Sequence, residues 1–244
     1  MSRGSVYGDE GVVLRAMKLG EADRIVTLLT AEHGKVRAVV KGARRTTSKL
    51  GPRLEPLRHV AVQLYEGRNL DTVIQCETLH PFAAVRGDYD RLTRALALAE
   101  ALDQIAPEKE PVPHLHRMLL GGLRTLEAGA APAVVGAFYW KLLAVEGLAP
   151  VVDFCLGCGG IDDLVAVDLH DGGAWCRACR PAGGGIRVSS DVLALLRAVV
   201  SGGLRDVLAL GASPAVTELE HLATLALEHH VERRMRSVRL LDAR

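Results

Sequence analysis

Between Gly11 and Leu79 the apolar residues fall in short β-branched, strand-like runs at 12–14, 24–29, 36–40, 60–65 and 71–74. Each run reads as a strand; at 36–40, where successive side chains take opposite faces, Val36, Ala38 and Val40 are expected inside and Arg37 and Lys41 on the other face. Turn chemistry separates them at Lys18-Leu19-Gly20, Glu32-His33-Gly34 and Glu66-Gly67-Arg68-Asn69. Five strands of this length are enough to close a small barrel, and the five-stranded OB-fold is the common solution, with an SH3-like barrel as its competitor.

After Pro81 the period changes. Residues 88–102 are rich in Ala and Leu, free of Gly and Pro, and led by Asp88 and Asp90, which suits the positive end of a helix. Similar stretches occupy 115–126, 133–148, 192–200 and 215–235, interrupted by Pro107, Pro111, Pro113, Pro132, Pro150 and Gly183-Gly184-Gly185. The expected fold is α+β: an OB-fold barrel over 1–80 and an α-helical bundle over 81–244, with an insert at 151–181 between the third and fourth helices.

That insert carries four of the five cysteines, as Cys155-x-x-Cys158 and Cys176-x-x-Cys179 with seventeen residues between the pairs. Each Cys-x-x-Cys can close a tight knuckle on a cation, and four thiolates complete the tetrahedron that Zn²⁺ prefers. A filled shell holds no activated water, so the site reads as structural: one Zn²⁺ per chain. Two disulfides or four free thiols are the competing states. Residues 164–169, the turn Asp171-Gly172-Gly173 and Ala174-Trp175 read as a strand, a turn and a returning strand, the pattern of a small zinc ribbon. Cys76 stands apart in a strand-like run and reads as a buried thiol acting as a small hydrophobe.

At 244 residues the chain suits two domains and the insert, and 49% hydrophobic with 24% charged residues is ordinary for a globular protein. No apolar run approaches the ~18 residues of a membrane span, and Met1-Ser2-Arg3-Gly4 does not resemble a signal peptide. The expected location is cytoplasmic, where cysteines are held for metal rather than for disulfides.

The net charge of +1 hides an asymmetry: from His33 to Arg58 there are eight Lys or Arg and one acid, Glu55. A block of this kind is the electrostatic footprint expected for nucleic acid, with a solvated basic face as the bland alternative. Lys35, Arg37, Lys41, Arg44, Arg45 and Lys49 are the expected phosphate contacts, with Arg15, Lys18 and Arg53 as secondary candidates. Arg supplies a planar fork to phosphate oxygens and Lys a point charge. The barrel segment offers Tyr7 and Tyr65 as aromatics, so binding is expected to be mainly electrostatic.

Catalytic signatures are poor, and no catalytic residue is assigned. There is no G-x-x-x-x-G-K-[ST] loop. The acids Asp162, Asp163, Asp168 and Asp171 fit turns and solvent-facing strand positions. His229-His230 reads as a solvated pair, and Ser48, Ser189 and Ser190 as turn or cap residues.

Gly20-Glu21-x-Asp23-Arg24 before a strand ending Leu29-Thr30, then Gly34-Lys35, Lys41-Gly42-Ala43-Arg44-Arg45 and Ser48, resembles the N-terminal domain of the RecO family of bacterial recombination mediators. Phe138, Leu142-Leu143, Gly147 and Pro150 ahead of the first cysteine pair, and Arg234, Arg236 and Ser237 near the C-terminus, extend the resemblance over almost the whole chain. Tyr139-Trp140 departs from it, following Phe138 where the family often carries an acidic residue. The resemblance implies an OB-fold barrel, a helical domain and a zinc site. It further implies binding of single- and double-stranded DNA, annealing of complementary strands, and cooperation with RecR in loading RecA onto DNA coated by single-strand-binding protein, at the nucleoid and without turnover. A zinc hydrolase would need an open coordination site. A zinc-ribbon transcription or translation factor acting mainly through protein contacts is the remaining alternative.

Overall fold

The computed structural model describes residues 5–129 and 131–238, so Met1–Gly4, the polar start considered above, lie outside the described residues, as do 239–244. Among the described residues, nine strands and seven α-helices are distributed over two compact units, 5–129 with 236–238 and 131–235.

The first unit is built on a closed barrel of five strands, β1 (Val6–Leu19), β2 (Asp23–Thr30), β3 (Lys35–Val40), β4 (His59–Tyr65) and β5 (Asp71–His80), in the order β1-β2-β3-β5-β4. β1 is long enough to serve two neighbours. Its residues 6–12 pair with β4 and 11–19 with β2, and a register shift between Val13 and Arg15 bends the strand from one partner to the other. Closure comes from a short parallel contact in which Ala38 and Val39 of β3 lie opposite Asp71 and Thr72 of β5. The inward positions read from the alternation, Val36, Ala38 and Val40, are fully buried with Val13, Val26, Leu28, Val60 and Leu64. Cys76 joins this core, and burial pushes its thiol up to about 11, as suits a small hydrophobe.

The first half of β1 escaped the alternation because its polar residues are structural. Tyr7 donates its hydroxyl to Asp71 Oδ2 at 2.5 Å, and the Asp9 carboxylate accepts the backbone N–H groups of Glu32 and His33 at the β2–β3 turn. Gly34 in that turn has φ +68°, and a Cβ there would lie 1.8 Å from the Glu110 carbonyl oxygen, so both conformation and space demand glycine.

That close approach marks a departure from the expected boundary at 80/81. Helices α1 (Ala83–Arg86), α2 (Tyr89–Ile105) and α3 (Pro113–Ala128) belong to the same compact unit as the barrel, not to a separate helical bundle. The α2–α3 connection hydrogen-bonds along the start of β3, Lys35 N–H to the Pro107 carbonyl and Lys109 N–H to the Lys35 carbonyl. Residues 236–237 return to the same unit, where both backbone N–H groups donate to the Glu100 carboxylate of α2. The switch of period at Pro81 marks a change of element, but it does not say which apolar surface a helix covers.

The second unit packs α4 (Val134–Val145), α5 (Ser190–Ser201), α6 (Leu204–Leu208) and α7 (Pro214–Val231). The Tyr139-Trp140 departure is explained by burial. Both side chains are fully enclosed, and Trp140 Nε1 donates to the Leu219 carbonyl of α7 at 3.3 Å. Ser189 caps α5 by accepting the Val192 N–H. Between α4 and α5 lies a sheet of order β6-β8-β7-β9, formed by β6 (Val151–Cys155), β7 (Leu164–Asp168), β8 (Gly173–Cys176) and β9 (Ile186–Arg187). The expected hairpin is β7–β8. The insert therefore runs past 181 to include β9, whose two residues are too short for a periodic signal.

Two histidines are buried in the first unit. His59 of β4 and His116 of α3 are 8% and 2% exposed, their rings 5.8 Å apart, and neither Nε2 has a hydrogen-bond partner among the described residues. Burial holds both below the ordinary value of 6.5, although Glu10 near His59, and Glu10 and Asp9 near His116, pull upward. The folded state thus binds fewer protons than the unfolded one just below pH 6.5, and stability falls as pH drops through that range. Urea midpoints measured from pH 7.5 to 5 should fall in the wild type and fall less in His59→Gln and His116→Gln. A pH-independent midpoint in the wild type would contradict this.

Candidate metal centre and cationic face

The two cysteine pairs meet at one end of the β6–β8 edge. Cys155 ends β6 and Cys176 ends β8, adjacent parallel strands, while Cys158 and Cys179 sit in the turns that follow. The four Sγ atoms lie within 4.8 Å of one another, with Cys158 and Cys176 3.9 Å apart. A tetrahedral zinc with Zn–S bonds near 2.3 Å places sulfurs about 3.8 Å apart, so the quartet fits one ion. Both knuckles aim backbone donors inward: Gly157 N–H and Cys176 N–H point at Cys155 Sγ at 3.4 and 3.3 Å. Those donors, Cys176 first, lower the Cys155 thiol to about 6, while hydrogen bonding to Cys176 and Cys158 raises Cys179 to about 12. Four thiols this close cannot all ionise unaided, and a dication resolves the conflict. Gly157 sits in a close approach, since a Cβ would lie 3.0 Å from both Cys179 Cβ and Trp175 Cζ3, tighter than most such contacts.

The acidic cluster lies where turns explain it. Asp163 pairs with Arg177 at 3.0 Å, and Asp168 accepts the N–H groups of His170 and Asp171. His229 and His230 are exposed, and His229 meets the His170 ring edge-on at 6.4 Å.

The nine cationic candidates do not form one surface of equivalent groups. Arg15 Nε pairs with Asp103 of α2 at 2.8 Å, and Lys35 Nζ donates to the Asp103 carbonyl at 2.7 Å. Burial lowers the Lys35 amine below its ordinary value. Arg37 lies 3.9 Å from Glu108. These three share the outer face of the barrel that the end of α2 and the segment after it cover, so acids of the chain stand where phosphates were expected. Arg44 donates to the Gly20 and Glu21 carbonyls at 2.9 and 2.8 Å, and Arg53 to the Cys76 carbonyl at 2.7 Å. Lys18, Lys41, Arg45 and Lys49 are exposed, and their side chains have no hydrogen bond or ion pair among the described residues. Lys18 is the next-to-last residue of β1, and the other three lie in the loop after β3.

That loop is clasped to the β1–β2 turn by the residues that carry the family resemblance. Asp23 Oδ1 accepts Gly42 N–H at 2.7 Å, Arg44 N–H donates to Ala22, and the Arg44 guanidinium holds the turn as above. Arg24 completes the clasp through Glu55 at 2.7 Å. Part of the motif thus shapes the cationic loop rather than contributing open charge to it, a distinction invisible in residue types.

The chain thus combines a closed OB-type barrel bearing a cationic loop with a helical unit that carries a four-cysteine cluster able to hold a metal ion. The chain belongs to the RecO family: the family described as "Recombination protein O N terminal" matches residues 1–82 and "Recombination protein O C terminal" residues 86–239. It is 43% identical over 242 residues to the DNA repair protein RecO of Thermobifida fusca, covering 98% of this chain and 99% of that protein. It is 43% identical over 247 residues to the DNA repair protein RecO of a Nocardioides species, covering 97% and 99%. The family matches divide the chain at the change of element type, whereas packing divides it after α3. No described helix is long and apolar enough to cross a membrane.

Proposed function

We propose that this chain is a DNA repair protein that acts without turnover as a recombination mediator. It holds single- and double-stranded DNA through the barrel and anneals complementary strands. With RecR it loads RecA onto DNA coated by single-strand-binding protein, in the cytoplasm at the nucleoid. The observation that carries the reading is the loop after β3. Lys41, Arg45 and Lys49, with Lys18 near the end of β1, are exposed cations left uncompensated on a closed barrel in a RecO-family chain. Phosphates are the ligand such a cluster suits, and backbone contacts carry no base information. Arg44 and Arg53 shape the loop and have donors to spare, while Arg15, Lys35 and Arg37 contribute less because acids already face them.

The metal we assign is zinc, one per chain, held by Cys155, Cys158, Cys176 and Cys179. Zinc supplies a closed tetrahedral crosslink and no reactive position. Annealing needs no ATP on this reading, since opposed phosphate backbones repel less when cations lie between them. Mixing complementary strands with the protein in the absence of nucleotide tests the proposal. Duplex should form faster than without protein, and the acceleration should fade as salt rises. Acceleration that requires ATP would overturn it.

A further inference from the structure

We infer that the end of α2 and the segment joining it to α3 form an autoinhibitory acidic screen, whose carboxylates occupy barrel cations in place of DNA phosphates and hold DNA affinity down. This rests on the reading of the barrel as the DNA-holding element, and it adds a regulating contact that the open loop does not contain.

The screened cations are gathered by register. Arg15 of β1 lies opposite Thr27 of β2, and Thr27 opposite Arg37 of β3, so both guanidinium groups leave one row on the outer face of the barrel, with Lys35 two residues before Arg37 on the same strand. Alongside β3 runs Pro107-Glu108-Lys109-Glu110-Pro111, held by a parallel bridge between Glu108 and Lys35. That bridge consists of Lys35 N–H donating to the Pro107 carbonyl at 3.2 Å and Lys109 N–H donating to the Lys35 carbonyl at 3.0 Å. It sets Glu108 3.9 Å from Arg37, while Asp103 near the end of α2 meets Arg15 at 2.8 Å and its carbonyl accepts Lys35 Nζ. Three cations that a phosphate backbone would use are thus faced by the chain's own oxygens.

The screen is anchored at one point and yields at another. Lys109 adopts φ +58°, unusual for a residue with a side chain, and its Nζ pairs at 3.0 Å with Asp71, whose side chain is 1% exposed. Breaking that pair would strand a buried charge, so the backbone of the segment stays in place. Glu108 is different. Its side chain is 59% exposed, its distance to Arg37 is the longest of the three contacts, and Arg37 Nε has no hydrogen-bond partner among the described residues. Exposed ion pairs of this kind are weak, and a polyanion that releases counterions on binding competes well against them. Asp103 holds Arg15 more closely and is itself mostly covered, so it yields second. The open loop therefore takes DNA first, and Arg37 and then Arg15 are recruited only against the screen.

The test is a set of titrations on an oligothymidylate and on a duplex of equal length, over a range of salt. Glu108→Gln should tighten binding to both by about threefold and steepen the single-strand slope of log K against log salt by about 0.7, since one more phosphate is neutralised. Adding Asp103→Asn, which leaves the backbone carbonyl that holds Lys35, should bring the gain to about tenfold and the steepening to about 1.4. The decisive comparison places Glu108→Gln in an Arg37→Ala background, where the gain should vanish because the cation it frees is gone. Glu77→Gln removes an equal charge from an exposed position of β5 and should leave the slope as it is. A gain that survives Arg37→Ala, or one that Glu77→Gln reproduces with its slope, would mean a general effect of net charge and overturn the inference, as would wild-type binding in Glu108→Gln. Urea melts confirm that each variant is folded, and the Glu108 and Arg37 pair decides alone if Asp103→Asn is unstable. Charge reversal in the loop tests the underlying reading separately. If loop variants lose binding while Glu108→Gln changes nothing, the screen alone fails; if they bind as the wild type does, the loop reading fails and the Arg37 comparison still decides the screen.

Discussion

Replacing Cys155 or Cys176 with alanine should release the metal and unfold the sheet of the second unit while leaving the barrel intact. Three thiolates cannot close a tetrahedron, and these two are the cysteines set on the strands themselves, both buried, with Cys155 Sγ accepting two backbone N–H groups. Structural zinc in small domains is worth on the order of 10 kcal/mol or more at neutral pH. The sheet it braces is small: β9 has two residues, and β6 meets β8 in a parallel contact broken by a register shift. Such a sheet has little core of its own to fall back on. Cys158 is exposed, so Cys158→Ser should be milder, retaining an oxygen ligand at weaker affinity. Elemental analysis should find one zinc per wild-type chain and none in Cys155→Ala. Limited proteolysis should then cut the variant between residues 151 and 187 while the barrel survives. Wild-type protein purified without metal, or a metal-free variant with unchanged protease resistance, would refute the claim.

Reversing the charge at Lys41, Arg45 and Lys49 together should weaken DNA binding on the order of a hundredfold at moderate salt, alike for all sequences, and slow annealing in parallel. These three side chains have no partner within the described chain, so the substitution changes open charge and leaves no buried group stranded. With Lys18 they amount to four open cations, which sets an expected slope of log K against log salt near −2.8 on single strands, flattened by about 0.7 for each phosphate no longer neutralised. Arg44→Glu should behave differently. Its guanidinium holds two carbonyls of the β1–β2 turn, so reversal should cost stability, about 1–3 kcal/mol, before it affects DNA. Urea melts beside salt-dependent titrations separate the two effects. A wild-type slope near zero would mean that the loop is a solvated face and not a phosphate site.

The same residues show where sequence reasoning reaches and where it stops. Alternation at 36–40 placed Val36, Ala38 and Val40 in the core because a strand's period of two is imposed locally by backbone geometry, whatever lies around it. The Cys-x-x-Cys pairs picked out the four cysteines that the fold gathers, because the short spacing lets each pair close a knuckle, and the seventeen residues between the pairs fold as the hairpin that brings them together. Period and cysteine spacing are local, so the sequence by itself determined the barrel strands, the long helices and the four-cysteine cluster.

What only the tertiary structure decided is which charges remain open. Arg15, Lys35 and Arg37 look identical to Lys41 and Arg45 in the sequence, yet Asp103 and Glu108 meet the first three across more than sixty residues of chain. Arg44 spends its donors on the β1–β2 turn, and α1 to α3 join the barrel rather than the remaining helices. These outcomes depend on long-range packing, in which each charge is compensated by whatever the fold brings within about 4 Å, and residue type and local period carry no record of that.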